Sequence, residues 1–238
     1  VWSVKRRTKL LILLAGAAVV VVAVTQRRAL NAVAHQVAPI GRQTEVTLIA
    51  HPRTTADRIV NAAKEEVRHG VRYDASYATI SYPNGDVSSD RGACTDVIVR
   101  ALRGAGYDLQ QLIHEDMERD FDAYPKLWGL TQPDANIDHR RVPNHIAFMK
   151  RHGKTLPLST RGAAAATWQP GDLVYWKLAF SGATHCGVLS NDRGRDGLPM
   201  VIHNIGPVTS QEDCLTRWEV IGHFRYPGRG QGPGARGQ

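Results

Sequence analysis

Apolar residues recur at helical spacing through the first two thirds of the chain and gather into short runs between turns in the last third. From Thr54 to His69, Ile59, Val60, Ala63 and Val67 fall on one face at a 3.6-residue period. Thr54 with Asp57 makes a near capping box, and Gly70 is the stop. A second stripe, Val97, Ile98, Ala101 and Leu102, lies in SSDRGACTDVIVRALRGAG, with Ser89 or Asp90 placed to cap its start and Gly104 or Gly106 its end. A third helix is predicted from Asp108 to about Phe121, with Leu109, Leu112, Ile113 and Phe121 inward, and a short fourth over Pro143–Arg151. Ser76–Tyr82 reads as a strand or extended segment ending in the turn Tyr82-Pro83-Asn84-Gly85-Asp86, and residues 124–141 read as irregular. After Gly162 the period changes. The turn Gln169-Pro170-Gly171-Asp172 leads into LVYW, and apolar runs follow at His185–Ser190, Met200–His203 and Trp218–Phe224, separated by turn-forming residues such as Asn191-Asp192-Arg193-Gly194. Helices first and closely spaced strands later predict an α+β domain with an antiparallel sheet.

The two ends follow other rules. Lys5, Arg6, Arg7 and Lys9 precede fifteen uninterrupted apolar or glycine residues, Leu10–Val24. As a helix that run spans about 22 Å, short of the roughly 30 Å hydrocarbon core, so it reads as a signal-peptide segment or as a short anchor completed by its flanks. An Ala-x-Ala site at Ala32-Val33-Ala34 favours cleavage, while the intervening Arg27-Arg28 favours a tether, and both readings stand. The basic residues ahead of the run predict that the domain behind it is exported, to the periplasm or cell envelope. Residues 228–238, GRGQGPGARGQ, carry too little apolar surface to order themselves, so a disordered tail is expected there. The division is therefore 1–50 as signal or anchor and linker, 51–227 as the folded domain, and 228–238 as tail.

Charge changes meaning once it is divided this way. The chain is +8 overall, yet 51–227 holds equal numbers of basic and acidic side chains, because the excess sits in the first fifty residues and the tail. A pI near 9.7 would otherwise suggest nucleic acid; here no nucleic-acid partner is predicted. Three cysteines, Cys94, Cys186 and Cys214, lie far apart without Cys-x-x-Cys spacing, so the chain is neither a disulfide scaffold nor a zinc-ribbon type.

Candidate chemistry centres on Cys94. It falls at or near a helix start, where unpaired backbone N–H groups and the dipole favour a thiolate, beside Arg91, Gly92 and Ala93. The competing reading is a small buried hydrophobe. His185 opens the run HCGVLS and His203 closes MVIH, so neighbouring antiparallel strands would set the two rings side by side, as base and orienter for a cysteine nucleophile. Side-chain alternation sends Cys186 to the opposite face as core filler. Asp96 reads as a first-turn acid rather than a catalytic partner. Arg140-Arg141 could clamp a substrate carboxylate or pair internally with Asp134 or Asp138. Glu115, Asp116, Glu118, Asp120 and Asp122 read as a solvated helix face. Asn204 either orients the strand that carries His203 or replaces His203 as third member; His203 is preferred.

These segments, YPNGDV, GACTDVIVRALR, YDLQQLIHEDM, NIDHRRVPNHIAF, WQPGDLVYW, HCGVLS, VIHNIG and GHFRYP, resemble in order an exported bacterial family catalogued as domain of unknown function 1287, itself similar to the NlpC-type papain-like cysteine peptidases. The resemblance runs from about Arg72 to Pro227. It implies a papain-like α+β fold, N-terminal helices packed on a C-terminal antiparallel sheet. It also implies Cys94 as nucleophile, His185 as base and His203 as orienter; Arg140, Arg141 and Asn204 are assigned to the substrate side apart from it. The 91 residues from Cys94 to His185 are long for that clan and imply a helical insertion around Asp108–Arg151. The expected activity is hydrolysis of amide bonds in peptidoglycan peptides, with no cofactor and no metal, and a membrane contact through the N-terminal segment if it is retained. Two competitors are a zinc hydrolase using the same Cys, His and His, and a catalytically silent wall-binding module.

Overall fold

Thr54 caps the first helix as its spacing predicts: its side chain accepts the Asp57 N–H at 3.1 Å, and the Asp57 carboxylate returns to the Thr54 N–H at 2.9 Å. That helix, α1 (Thr55–Arg68), buries Ile59, Val60, Ala63 and Val67. The computed structural model describes residues 45–228 apart from Phe180. The apolar run Leu10–Val24 and positions 229–238 of the tail lie outside the described residues. Among the described residues no helix is long and apolar enough to cross a membrane.

Short strands β1 (Arg72–Tyr73) and β2 (Arg91–Gly92) pair in parallel ahead of α2 (Cys94–Gly104). Helices α3 (Leu109–Arg119) and α4 (Val142–His152) follow, separated by single 3-10 turns in the region expected to be irregular. The last third forms β3 (Lys154–Thr155), β4 (Leu173–Lys177), β5 (Thr184–Arg193), β6 (Pro199–His203), β7 (Ser210–Glu212) and β8 (Glu219–Arg225). These strands make one six-stranded sheet in the order β3-β8-β4-β5-β6-β7, antiparallel throughout. The architecture is thus α+β with helices and an antiparallel sheet.

Strand alternation divides the core. Leu173, Tyr175, Cys186, Val188, Ile202 and Phe224 pack in one cluster with Val97, Ile98 and Leu102 of α2 and with α1. The intervening residues Val174, Trp176, Leu189 and Val201 pack in a second cluster with Trp168, Cys214 and Leu215. Both faces of the central strands are therefore covered, which explains why LVYW reads as a solid apolar run rather than an alternating one.

Three local expectations fail, each for a visible reason. Ser76–Tyr82 forms no strand: its backbone is satisfied by side chains, Ile80 N–H by Asn136, Ser76 O by Arg140 and Ser81 O by Gln110. The N-cap of α2 is Ala93, not Ser89 or Asp90, because the Asp90 carboxylate is taken by Ser88 Oγ and Arg72. The acidic run on α3 is not wholly solvated. Asp116 is buried, accepts from Tyr124 Oη at 2.6 Å and pairs with Arg151.

Trp168 is almost fully buried and stacks on His223 with 3.5 Å between ring centroids and 2° between planes. Trp168→Ala should lower stability by about 3–5 kcal/mol, whereas Leu158→Ala, at an exposed position, should stay within about 0.5 kcal/mol. Urea unfolding monitored by circular dichroism checks both.

Candidate active site

Cys94 is the first residue of α2, held there by a small hydrogen-bond lock. Ala93 donates its N–H to Asp96 Oδ2 at 2.6 Å, and Asp96 N–H returns to Ala93 O at 3.1 Å. The Asp96 carboxylate also takes two bonds from Arg140, through Nε and Nη2, each at 2.9 Å. Arg140 in turn grips Ser76 O at 2.6 Å and Asp74 O at 3.2 Å, and Thr95 Oγ1 donates to Arg140 O at 3.2 Å. The first turn of a helix leaves its N–H groups without intrahelical partners, so α2 presents donors and the positive end of its dipole beside the Cys94 thiol.

Two side chains from consecutive residues of β5 act on that thiol. A hydrogen bond from Cys186, then the charge and hydrogen bonding of His185, hold Cys94 well below the usual thiol range despite its burial. Cys186 moves the opposite way: burial and the neighbouring Cys94 push its thiol well up. Cys186 is fully buried in the core cluster shared with α2, as strand alternation predicts.

His185 pairs with Trp176 across β4 and stacks on that indole, centroids 5.6 Å apart and planes 16° apart. Its Nε2 lies 2.8 Å from His203 Nδ1. His203 is fully buried, and burial followed by the charge of His185 disfavours its protonated form. A neutral His203 that accepts at Nδ1 carries its proton on Nε2, and Nε2 faces Cys214 Sγ at 3.5 Å and Glu212 Oε1 at 3.7 Å. Gly187 makes this approach possible. A Cβ there would stand 2.6 Å from Val201 Cγ1 and 3.2 Å from His203 Cβ.

The other named residues are placed differently. Arg140 is buried and committed to Asp96, so it stands as a scaffold cation rather than a clamp, and its partner is neither Asp134 nor Asp138. Arg141 stays partly exposed; its guanidinium lies 4.5 Å from the centroid of the exposed Trp128 ring, and among the described residues it makes no ion pair. Asn204 does not join the histidines. Its Nδ2 donates to Val71 O at 3.1 Å and Gly92 O at 3.0 Å, tying the end of β6 to the strands that deliver Cys94. Asp96, read as a dipole acid, is in addition the carboxylate that fixes the loop.

Tyr73 escaped the sequence reading. It is half-exposed, and burial followed by the field of Cys94 pushes its phenol up, so it remains an O–H donor near Cys94. Only the β1–β2 pairing, Tyr73 opposite Gly92, brings it there, and a two-residue strand leaves no periodic trace in sequence. A cavity of about 270 Å³ lies against the same loop, with Asp74, Ser76, Ile80, Ser88, Arg91 and Arg140 among its lining.

Residues 60–226 match the family described as Domain of unknown function (DUF1287). The chain is also 44% identical over 180 residues to the uncharacterized protein YijF of Escherichia coli (strain K12), covering 76% of this chain and 86% of that protein. The chain belongs to this family.

The thiol environments separate the three cysteines by pH. Alkylation requires thiolate: Cys94, with its lowered value, should react near pH 6, whereas Cys186 and Cys214, both raised chiefly by burial, should react only under alkaline or unfolding conditions. Mass spectrometry after iodoacetamide treatment from pH 5 to 9 checks this; Cys214 labelled as fast as Cys94 at pH 6 would contradict it.

Proposed function

Taking that membership as premise, we propose that the chain is an exported, papain-like cysteine amidase or peptidase of the NlpC type, hydrolysing amide bonds of peptidoglycan peptides. The observation that carries this reading is the line from Cys94 to His185 to His203, with 2.8 Å between the two imidazoles. A thiolate at a helix start, a base and a neutral orienter are the parts that acyl transfer through cysteine requires.

In this reading Cys94 Sγ attacks the amide carbonyl, forming a C–S bond. The Cys94 backbone N–H, with Tyr73 Oη–H as a second donor, receives the developing oxyanion. His185, protonated at Nδ1 after taking the thiol proton, gives that proton to the departing amine as the C–N bond breaks. Water, deprotonated by His185, then cleaves the thioester and restores the thiol. His203 accepts from His185 Nε2 throughout and keeps the ring in register. For an anionic peptide the cations outside the scaffold are Arg91 and Arg141. Arg91 sits 3.5 Å from Asp74 at the cavity edge, about half exposed.

Export to the periplasm or cell envelope, and a membrane contact through Leu10–Val24 if it is retained, rest on the basic residues ahead of that run. The substrate class rests on the resemblance to wall-peptide hydrolases. A zinc hydrolase using Cys94, His185 and His203 is less favoured. Among the described residues, Cys94, His185 and His203 do not form a group whose ligand atoms all lie within 4.8 Å of one another.

Purified peptidoglycan incubated with the full chain should release peptide fragments with new amine ends, detected by mass spectrometry. Cys94→Ser and His185→Ala should each lower the release by at least about 10³-fold with the circular dichroism spectrum unchanged. Undiminished release by Cys94→Ser would refute the cysteine mechanism.

A further inference from the structure

The far side of His203 carries a second arrangement that the hydrolytic reading does not use. His203 Nε2, Cys214 Sγ and Glu212 Oε1 lie within 4.8 Å of one another, the one such group of potential metal ligands found among the described residues. His203 and Cys214 are buried, and the Glu212 side chain is 29% exposed, so the carboxylate forms the open side. The separations suit a shared ion. For metal–ligand lengths of about 2.0–2.1 Å to nitrogen or oxygen and about 2.3 Å to sulfur, tetrahedral ligands stand roughly 3.5 Å (N to S) and 3.3 Å (N to O) apart. Here they stand 3.5 Å and 3.7 Å apart.

From this geometry we propose that His203, Glu212 and Cys214 form a binding site for one zinc-class divalent cation, with the fourth position open to solvent. The donor set is imidazole, thiolate and carboxylate, which favours zinc over magnesium or calcium. Two neighbours modulate it. Ser210 Oγ donates to Glu212 Oε1 at 2.9 Å and orients the ligating oxygen, while Arg217 Nη1 bonds the other oxygen, Oε2, at 2.6 Å and opposes the ion's charge. Binding releases the Cys214 thiol proton to solvent.

Cobalt(II) titration of the reduced full chain tests the site directly. One equivalent should give a sulfur-to-cobalt charge-transfer band that zinc abolishes, that persists in Cys94→Ser and that is lost in Cys214→Ser. Glu212→Gln, at a partly exposed position and therefore safer for folding, should keep the band but weaken cobalt binding at least tenfold. No band, or a band lost in Cys94→Ser and kept in Cys214→Ser, would overturn the proposal.

Discussion

The buried pair of Asp96 and Arg140 is the constraint on which the rest of the site depends. One carboxylate accepts the Ala93 N–H and both arms of a guanidinium, and the same guanidinium holds the carbonyls of Asp74 and Ser76. The start of α2, the β1–β2 ladder and the segment after it are thereby fixed to the turn before α4. Both charges are largely out of water, so neither can be removed alone without stranding the other, a loss of about 3–5 kcal/mol for a buried pair. The cost of dehydrating the pair is offset only because nearly every donor and acceptor on it is used.

A second constraint acts from the sheet. Adjacent residues of one strand point to opposite faces, and here Cys186 packs in the cluster shared with α2 while His185 stacks on Trp176. Trp176 beneath His185 and Trp218 beside it exclude water from the imidazole pair. The low dielectric that keeps His203 neutral is thus made by the same aromatic residues that fix the ring planes.

What could be read in the sequence follows from range. The helices were legible because their apolar stripes are local, and the central strands because both faces are buried and the runs are solid. Cys94, His185 and His203 could be nominated from helix-start and strand-end positions, and the structure does bring these three side chains together. Their partners could not. The Asp96–Arg140 pair spans 44 residues and the Asn204–Gly92 bond 112, and no pattern within either segment announces the other. The same holds for Cys214 behind His203, since the turn that brings it there has no periodicity. Asp116 misled because a charge on a mostly polar helix face looks solvated until its buried partners are known.

Gly92, held to Asn204 by a single amide, gives the molecule a temporal property. Helix α2 is made of local contacts and can form early, but the groups that act on Cys94 arrive 91 and 109 residues later in the chain, after the β5–β6 hairpin has closed. Contacts of such separation carry the loop-closure cost and form late. A newly made or partly unfolded chain therefore carries Cys94 as an ordinary, slowly reacting thiol. The setting that lowers its thiol pKa exists only with the completed sheet and is lost with the first opening that frees β6, so the state of one sulfur follows the closure of the whole fold.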